Sequence, residues 1–334
     1  MPISKRNKGE LIVVKKRITI IIAILLVTAL IVGCGNGQTE TDCDTEEKKV
    51  IRIGILQVED ILPLVVGNEE GFFAEKGMVV DLTIFPSPTD KANAFLAGEL
   101  DASVTDMIVT YLMAAQVPVR IGALTTGVTP EEGPFGIVAA PGSGIYTVQD
   151  LDGKSVGISF NTIIEYVLDG ILAQEGLSPD FVEKTLVASL PVRMEMLLSG
   201  QIDAAIFPDP LLTFAQYQGA VLVADDTTGE NLSQVVMIFH SQFAEENMDL
   251  LRDFFAAYTQ SVSAINSNPE NFRELFINGA RIPEQIAATY PIPVFPYPQL
   301  PQQADMERVE NWLLDKGVLD APINYEDLII DGLH

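Results

Sequence analysis

The chain has few residues of the kinds that bind metals or act as nucleophiles. Its 334 residues include two cysteines and two histidines, too few for a zinc or non-haem iron site built on these side chains. A P-loop and a G-x-G-x-x-G fingerprint after a strand are both missing. We therefore expect that the protein is not an enzyme and that it has no catalytic residue, cofactor or metal site. We interpret His240 as a structural residue.

Positive charge is scarce as well. The chain has 20 Lys and Arg against 46 Asp and Glu, which gives a net charge of −26 and a pI of about 4.2. A chain this acidic is repelled by nucleic acid and by anionic lipid, so we expect neither as a partner. Hydrophobic residues make up 48% of the sequence, and a chain of this length can bury the cores of two lobes.

The first 34 residues differ from this acidic body, since they carry six Lys or Arg and one Glu. Residues 18–32 are an uncharged apolar run, shorter than the ~20 residues that span a membrane and typical of a signal peptide. The following IVGC, residues 31–34, resembles the bacterial lipobox, in which the Cys is lipidated and becomes the N-terminus. We predict a signal peptide over 1–33 and lipidation of Cys34. The alternative is an uncleaved signal anchor.

A tether is predicted to follow the lipidated residue. Residues 34–49 are polar and charged with almost no apolar side chains, so they cannot form a core. Cys43 lies in this tether and has no disulfide partner if Cys34 carries lipid. The protein is therefore expected outside the cytoplasm, held at the bacterial cell membrane through its lipid anchor only.

The folded part contains an internal repeat. Residues 97–106, AGELDASVTD, and 199–209, SGQIDAAIFPD, follow one pattern. Each closes a unit that reads strand, helix, strand, helix, strand, and the glycines that end these elements recur about a hundred residues later: Gly54, Gly77 and Gly98, then Gly157, Gly176 and Gly200. We predict an α/β protein of two lobes, each a mostly parallel sheet flanked by helices.

Two crossing strands are predicted to join the lobes and to act as a hinge. Lobe one is expected to comprise 50–138 and 236–334, and lobe two 139–235. An amphipathic helical stripe is predicted in lobe one at Phe254, Phe255, Tyr258 and Val262. Ligands of such sheets bind at the carboxyl ends of the strands, so we expect the site in the cleft between the lobes.

Candidate ligand-binding residues follow the strands or begin the next helices. In lobe one they are Gln57, Glu59, Asp60, Ser87, Thr89, Thr105, Asp106 and Met107; in lobe two they are Ser159, Phe160, Asn161, Thr162, Phe207 and Asp209. For Ser87, Thr89, Asn161 and Thr162 the alternative is helix capping alone. For Asp101 and Asp203 we expect only a role in a turn or at the start of a strand.

Several runs together resemble the solute-binding proteins of ABC importers. They are IGILQ, GFFAEKGM and AGELDASVTD, then VQDLDGKSVGISFNT and SGQIDAAIFPDP. The most similar branch binds nitrate, sulfonates and taurine, or pyrimidines of the thiamine pathway. The resemblance implies a two-lobed periplasmic-binding-protein fold of type II-like form, a small-molecule solute, and ABC permease and ATPase subunits as partners. A tethered sensor without transport, and a pyrimidine-forming enzyme of the same fold, remain alternatives.

The charges near the predicted cleft indicate the ligand class. Lys91 is the only cation in or next to these loops, whereas five carboxylates lie there: Glu59, Asp60, Asp90, Asp106 and Asp209. Such a site favours a neutral or cationic nitrogen-containing solute, such as a pyrimidine-like molecule stacked on Phe160 or Phe207. The alternative ligand is a small anion, such as a sulfonate or nitrate.

Overall fold

The computed structural model describes residues 49–334, so the predicted signal peptide, Cys34, Cys43 and nearly all of the tether lie outside it. Within these residues two five-stranded sheets each form the centre of one lobe. The strands are β1 Lys49–Ile55, β2 Met78–Ile84, β3 Ala102–Asp106, β4 Val119–Thr126, β5 Phe135–Ala139, β6 Ser155–Ile158, β7 Glu183–Leu186, β8 Ala204–Pro208, β9 Val221–Asp225 and β10 Val235–His240.

Thirteen α-helices of the described part cover these sheets. They are α1 Leu62–Glu69, α2 Phe72–Glu75, α3 Pro88–Leu96, α4 Met107–Ala114, α5 Ile163–Gln174, α6 Leu190–Leu198, α7 Leu211–Tyr217, α8 Ser241–Glu246, α9 Met248–Ser267, α10 Arg273–Gly279, α11 Glu284–Ala287, α12 Gln303–Asp315 and α13 Tyr325–Leu328. Short 3-10 helices lie at Glu59–Ile61, Val148–Leu151, Pro179–Phe181 and Pro269–Phe272.

The two sheets have equivalent topologies, which confirms the predicted two-lobed α/β architecture. The first sheet has the order β2-β1-β3-β10-β4 and the second β7-β6-β8-β5-β9. In each, three parallel strands are followed by one antiparallel strand and a last strand that pairs antiparallel with it. Four of five strands in each sheet therefore point the same way, and their carboxyl ends lie on one edge.

Glycines and polar caps set the ends of the repeated helices. Gly98 and Gly200 adopt left-handed φ values of 76° and 69° directly after the last turns of α3 and α6, a conformation that glycine takes without a steric penalty. At the other end, Ser87 caps α3 and Asp106 caps α4 through their side-chain oxygens. The helices therefore begin at the strand ends, where the predicted cleft lies.

The chain passes between the sheets twice, through 127–134 and 226–234. Strand β5 lies wholly in the second sheet, so the first crossing comes before residue 135 instead of at the expected boundary of 138 and 139. Both crossings are connections between strands. Asp226 begins the second connection, and its Oδ1 accepts a hydrogen bond of 2.8 Å from the N–H of Phe135, the first residue of β5.

The C-terminal helices complete the first lobe. The predicted apolar stripe of α9 is buried, with Phe254, Phe255, Tyr258 and Val262 in one core against the back of the first sheet. His240 stacks on Phe95 with ring centroids 4.0 Å apart. This is a packing contact of the kind expected for a structural histidine.

Candidate functional site

A cavity of about 90 Å³ lies between the carboxyl ends of the two sets of strands, with walls from both lobes. Five polar side chains line it: Asp60, Lys91, Thr105, Asp106 and Ser159. The remaining wall is apolar, formed by Leu56, Val58, Pro88, Val104, Phe135, Ile163, Ile164, Ala188, Leu190, Pro208 and Val235. A largely apolar enclosure with a few polar groups is the usual form of a small-molecule site.

Helix starts from both lobes converge on this cavity. From the first lobe come Pro88, the first residue of α3, and Asp106, the residue before α4. From the second lobe come the first residues of α5 and α6, Ile163 and Leu190. The strand-helix repeat of the sequence therefore places equivalent loops on opposite walls of one cavity.

Three ionisable side chains lie near one another in the wall that the first lobe contributes. Asp60 and Asp106 are buried, and so is Lys91 between α3 and β3. Burial raises the pKa of Asp60 to about 6, and the nearby Lys91 ammonium opposes that shift. Burial lowers the pKa of Lys91 to about 8, although both aspartates favour its charged form. Burial likewise raises the pKa of Asp106. The hydrogen bond of 2.8 Å that its carboxylate accepts from the Val109 N–H opposes this shift.

On the second-lobe wall the polar group is the Ser159 hydroxyl, supported from behind by Arg193. The Arg193 side chain is 0% exposed, and its guanidinium donates to Val187 O at 2.9 Å, Ile206 O at 2.8 Å and Ser159 Oγ at 2.6 Å. The cavity therefore has a second buried cation near it, one that sequence reasoning missed.

Glu59 and Asp209 meet beside the cavity, at a separate contact between the lobes. The Tyr290 hydroxyl donates to Glu59 Oε2 at 2.8 Å and also favours the charged form of Asp209. Burial is the main cause that raises the pKa of Glu59 to about 8. Asp209 also accepts hydrogen bonds of 2.9 and 2.8 Å from Thr213 N and Oγ1. These two predicted ligand-binding carboxylates are thus brought together, but outside the lining of the cavity.

Four other predicted residues line a second, more open cleft of about 230 Å³ between α3, α4 and the loop before α5. They are Thr89, Phe160, Asn161 and Thr162. Phe160 is 42% exposed, and Asn161 has a left-handed φ of 56°. Thr162 caps α5, just as Ser87 caps α3. Both side chains therefore cap helices, and ligand binding by Ser87 and Thr162 stays a prediction.

Three predicted site residues lie elsewhere, for reasons of strand and helix geometry. Phe207 is 0% exposed in the core behind the second sheet, because alternate residues of a strand face opposite sides and Ile206 belongs to the other face. Met107 is buried in the main core. Gln57 is half-buried and does not line the cavity, whereas its neighbours Leu56 and Val58 do.

The two aspartates assigned to strand starts have that role. Asp101 accepts hydrogen bonds from the Arg52 N–H at 2.9 Å and from its guanidinium at 2.7 Å. Asp203 accepts from Ser155 N at 2.9 Å and Oγ at 2.7 Å. Each side chain ties the third parallel strand of its sheet to the first.

Two features are absent from the described part of the chain. Across residues 49–334, no helix combines the length and the apolar character needed to cross a membrane. The same residues contain no group of three or more His, Cys, Asp or Glu side chains that could hold a metal ion.

Comparison with known proteins gives one family and one fold. The family model described as "NMT1/THI5 like" matches residues 58–272. An aliphatic sulfonates-binding protein of Escherichia coli K12 is 24% identical over 208 residues, which cover 62% of this chain and 64% of the relative. The chain thus matches less than two thirds of that relative's length. A thiamine biosynthesis protein of Haemophilus influenzae is 23% identical, over 66% of this chain and 69% of the relative.

Solved structures share the fold at low sequence identity. The alkanesulfonate-binding protein SsuA from Xanthomonas axonopodis, bound to MOPS, superposes with a TM-score of 0.71 and 16% identity, covering 84% of this chain and 98% of the other. The desulfurization enzyme DSZB superposes with a TM-score of 0.64 and 16% identity, over 85% and 97% of the two chains. The fold is therefore that of the periplasmic binding proteins, and it also occurs in an enzyme.

Proposed function

The chain belongs to the NMT1/THI5-like family, and we propose that it is the solute-binding protein of an ABC importer. The observation that carries the proposal is the cavity enclosed between the two lobes, to which each contributes strand ends and helix starts. A ligand held by both lobes favours their closed arrangement, and this is how such a protein can signal that it is loaded.

We propose that the solute is neutral or cationic and contains nitrogen. Asp60 and Asp106 line the cavity against a single lining cation, Lys91. The Asp60 Oδ1 atom is buried and has no hydrogen-bond partner within residues 49–334. An N–H donor of a pyrimidine-like molecule or an amine would satisfy this acceptor, whereas an anion would face it unpaired.

A small anion is the second candidate because of two features of the same cavity. Lys91 donates one hydrogen bond, to Val104 O, and an ammonium group can donate three. The helix starts at Pro88, Ile163 and Leu190 add partial positive charge. One relative and one protein of similar structure are named as sulfonate-binding proteins. Small anions therefore belong in any ligand screen.

Import, not catalysis, is the proposed role, with a permease and an ATPase as partners. The cavity contains no His or Cys, and its polar groups are those expected for recognition. We also propose that Cys34 anchors the protein at the outer side of the cell membrane, with Cys43 in the tether. A tethered sensor would have the same cavity, and co-purification of a permease with the protein from membranes separates the two roles.

The proposed binding function is tested by thermal shift on the purified full-length chain. The panel contains aminopyrimidines, aliphatic amines, short alkanesulfonates, taurine and nitrate, each in excess. A bound solute raises the unfolding temperature, because it stabilises the folded state by about 2.7 kcal/mol at a hundred times its Kd. Selective stabilisation by the nitrogen compounds is the expected result. Stabilisation by sulfonates alone would support the second candidate, and no response to any compound would contradict solute binding by this cavity.

A further inference from the structure

Glu59, Tyr290 and Asp209 form an interlobe triad outside the cavity. Glu59 follows β1 of the first sheet, and Tyr290 packs in the first-lobe core, where its ring stacks on Phe276 with centroids 6.0 Å apart. Asp209 follows β8 of the second sheet. One carboxyl group from each lobe therefore faces the same tyrosine hydroxyl.

The interlobe triad lies where the chain passes between the lobes. The Asp209 N–H donates to Pro134 O of the first crossing at 3.1 Å. Gly133 of the same crossing approaches Glu59, since a Cβ at that glycine would lie 3.6 Å from Glu59 Oε1. Phe214 of α7 packs against the cores of both lobes. A change in the angle between the lobes therefore changes the separation of the two carboxyl groups.

The hydrogen bonds of the interlobe triad are complete only when it holds an additional proton. A tyrosine hydroxyl has one proton to donate, and with Glu59 ionised this proton goes to Glu59 Oε2 at 2.8 Å. Asp209 then faces only the lone pairs of Tyr290. With Glu59 protonated, its carboxylic O–H donates to Tyr290 Oη over the same distance, and the tyrosine proton becomes available to Asp209.

Negative charge around the triad favours uptake of that proton. Within residues 49–334, no Lys or Arg forms an ion pair with Glu59 or Asp209. Asp60 beside Glu59, and Asp225 beside Asp209, add negative charge. Glu59 is 5% exposed, so water stabilises its carboxylate little, and burial raises its pKa to about 8.

Cations on neighbouring elements act on other groups. The Lys91 ammonium of α3 offsets the charge of Asp60. Arg273 of α10 pairs with Glu270 and donates to the backbone carbonyl of Tyr290 at 3.0 Å. The other ionisable side chains of the first crossing, of α10 and α11 and of the segment between these helices are exposed or half-buried: Glu131, Glu132, Glu274, Arg281 and Glu284. In the part of the chain that the structure describes, the triad therefore has no buried counter-ion.

We propose that Glu59, Tyr290 and Asp209 form a proton-binding site shared by the two lobes, so that closure of the lobes takes up one proton. This proposal rests on the proposed binding function and adds the proton to it as a second ligand. Closure around a solute is then more favourable at low pH, where the site is loaded.

Burial determines the pH range of this linkage. Opening the lobes brings water to Glu59 and returns its pKa from about 8 toward the ordinary 4.5. The closed form therefore binds the proton more tightly than the open form, and rising pH favours opening between about 4.5 and 8. Over this range, one linked proton changes the ratio of closed to open forms by up to about ten-fold per pH unit.

The first test follows the Glu59 proton by carbon-13 NMR of the full-length chain, labelled at the glutamate carboxyl carbon. The Glu59 resonance is the one that Glu59→Gln removes. We expect it to titrate with a midpoint above about pH 6, because an ordinary glutamate titrates near 4.5. A midpoint below about pH 6 would overturn the proposal.

Asp209→Asn distinguishes a shared proton from simple burial of Glu59. The substitution removes the carboxylate that the second lobe contributes, so the Glu59 midpoint should fall by about one pH unit. Glu131→Gln removes an exposed carboxylate of the first crossing and is the matched control, which should leave the midpoint unchanged. A midpoint that is the same in Asp209→Asn and in the parent would assign the proton to Glu59 alone.

Trp312 reports the arrangement of the lobes. It is the only tryptophan of the chain, it lies on α12, and its Nε1–H donates to Asp169 Oδ2 of the second lobe at 3.1 Å. Its fluorescence should change over the same pH range as the Glu59 resonance, because opening breaks this contact. Glu59→Gln should abolish the change, although it keeps the charged groups near Trp312, which are Glu165, Asp169, Lys184 and Lys316.

The Trp312 profile of the parent needs no variant, so it stands even if a substitution prevents folding. Fluorescence that stays constant from pH 5 to pH 9, or that changes alike in the parent and in Glu59→Gln, would overturn the linkage. No solute enters these measurements, so either result leaves the proposed binding function in place. That function fails separately, if no compound stabilises the chain in the thermal-shift panel.

Discussion

Lys91 and Arg193 occupy equivalent positions in the two lobes, 102 residues apart in the sequence. Each lies on the helix before the third parallel strand, and each donates to a backbone carbonyl of that strand: Lys91 Nζ to Val104 O and Arg193 Nη1 to Ile206 O. The internal repeat therefore extends to one buried cation in each lobe. One of the two lines the cavity, and the other supports Ser159.

Arg193 is expected to be important for stability although no carboxylate within residues 49–334 pairs with it. Arg193→Met leaves two buried carbonyls without a donor, and this should outweigh the relief of removing a buried charge, with a net loss of roughly 2–4 kcal/mol. Urea unfolding measures the change. Arg252→Met is the matched control, since the Arg252 side chain is 52% exposed in a surface pair with Asp249, and it should change stability by less than about 0.5 kcal/mol.

A charged cluster links the lobes at the start of α5. Glu165 Oε1 contacts Lys316 Nζ at 2.5 Å and Lys184 Nζ at 3.0 Å. Lys316 follows α12, which packs against α4 of the first lobe through a hydrogen bond from Tyr111 to Met306 O. Trp312 of the same helix donates to Asp169 Oδ2 on α5 at 3.1 Å. The pair Lys316–Glu165 therefore spans the two lobes.

We predict that Lys316→Met weakens solute binding by roughly ten-fold, or about 1.4 kcal/mol, because a buried Glu165 carboxylate loses one of its two cations and the closed form is less favoured. Titration with the best solute from the screen measures this. Lys76→Met removes a pair that lies within the first lobe, with Asp253, and should leave affinity unchanged. Similar losses in both variants would show that the effect is general electrostatics.

Glu59 should make the protein less stable as the pH rises. Its pKa is raised from 4.5 to about 8 in the folded state, so the folded state binds its proton more tightly than the unfolded state does. The resulting stabilisation is complete below about pH 4.5 and is lost as the pH rises through about 8. Glu59→Gln cannot ionise, so the variant should be more stable than the parent at pH 8.5, and this advantage should disappear below about pH 4.5.

Thermal unfolding of parent and variant in one buffer series tests this prediction, because the difference cancels the other titrating groups. Glu131→Gln changes an exposed residue, and its unfolding temperature should follow the same pH dependence as that of the parent. A difference between parent and Glu59→Gln that does not depend on pH would contradict the assigned pKa shift.

The aspartates of the repeat should divide into two functional classes. Asp101→Asn and Asp203→Asn lose bonds at strand starts, so each should lower stability by about 1 kcal/mol and leave affinity within three-fold. Asp106→Asn alters a group that lines the cavity and should weaken binding of a nitrogen-containing solute by ten-fold or more. Equal solute affinities of all three variants would show that Asp106 does not bind the solute.

The lipid anchor is tested on protein extracted from membranes. Cys34→Ala should release the protein, or leave its uncleaved precursor, because the thiol that accepts the lipid is gone. Intact mass of the parent should correspond to loss of residues 1–33 and addition of lipid. A mass that still includes Met1, without lipid, would contradict the prediction.

Local sequence patterns were sufficient for the architecture and for part of the site. Glycine stops and alternating strand and helix signals recur with constant spacing, because each lobe repeats one strand-helix unit, and parallel strands bring their carboxyl ends to one edge. The cavity lining thus includes Asp60, Thr105, Asp106 and Ser159, all predicted from positions that follow strands.

Only the tertiary structure decided which side chains face the cavity and what supports them. Phe207 and Ile206 are adjacent in sequence, yet the pleat and the packing of the second sheet turn the phenyl ring into the core behind it. Tyr290 reaches Glu59 across 231 positions of sequence, a distance over which no periodicity carries information. The support of Ser159 by Arg193 likewise depends on contacts between helix and strand ends that form only when the lobe is packed. For this protein, local spacing determined the fold and the edge where the site lies, whereas long-range packing determined its polarity, since burial and hydrogen-bond direction are properties of the assembled lobes.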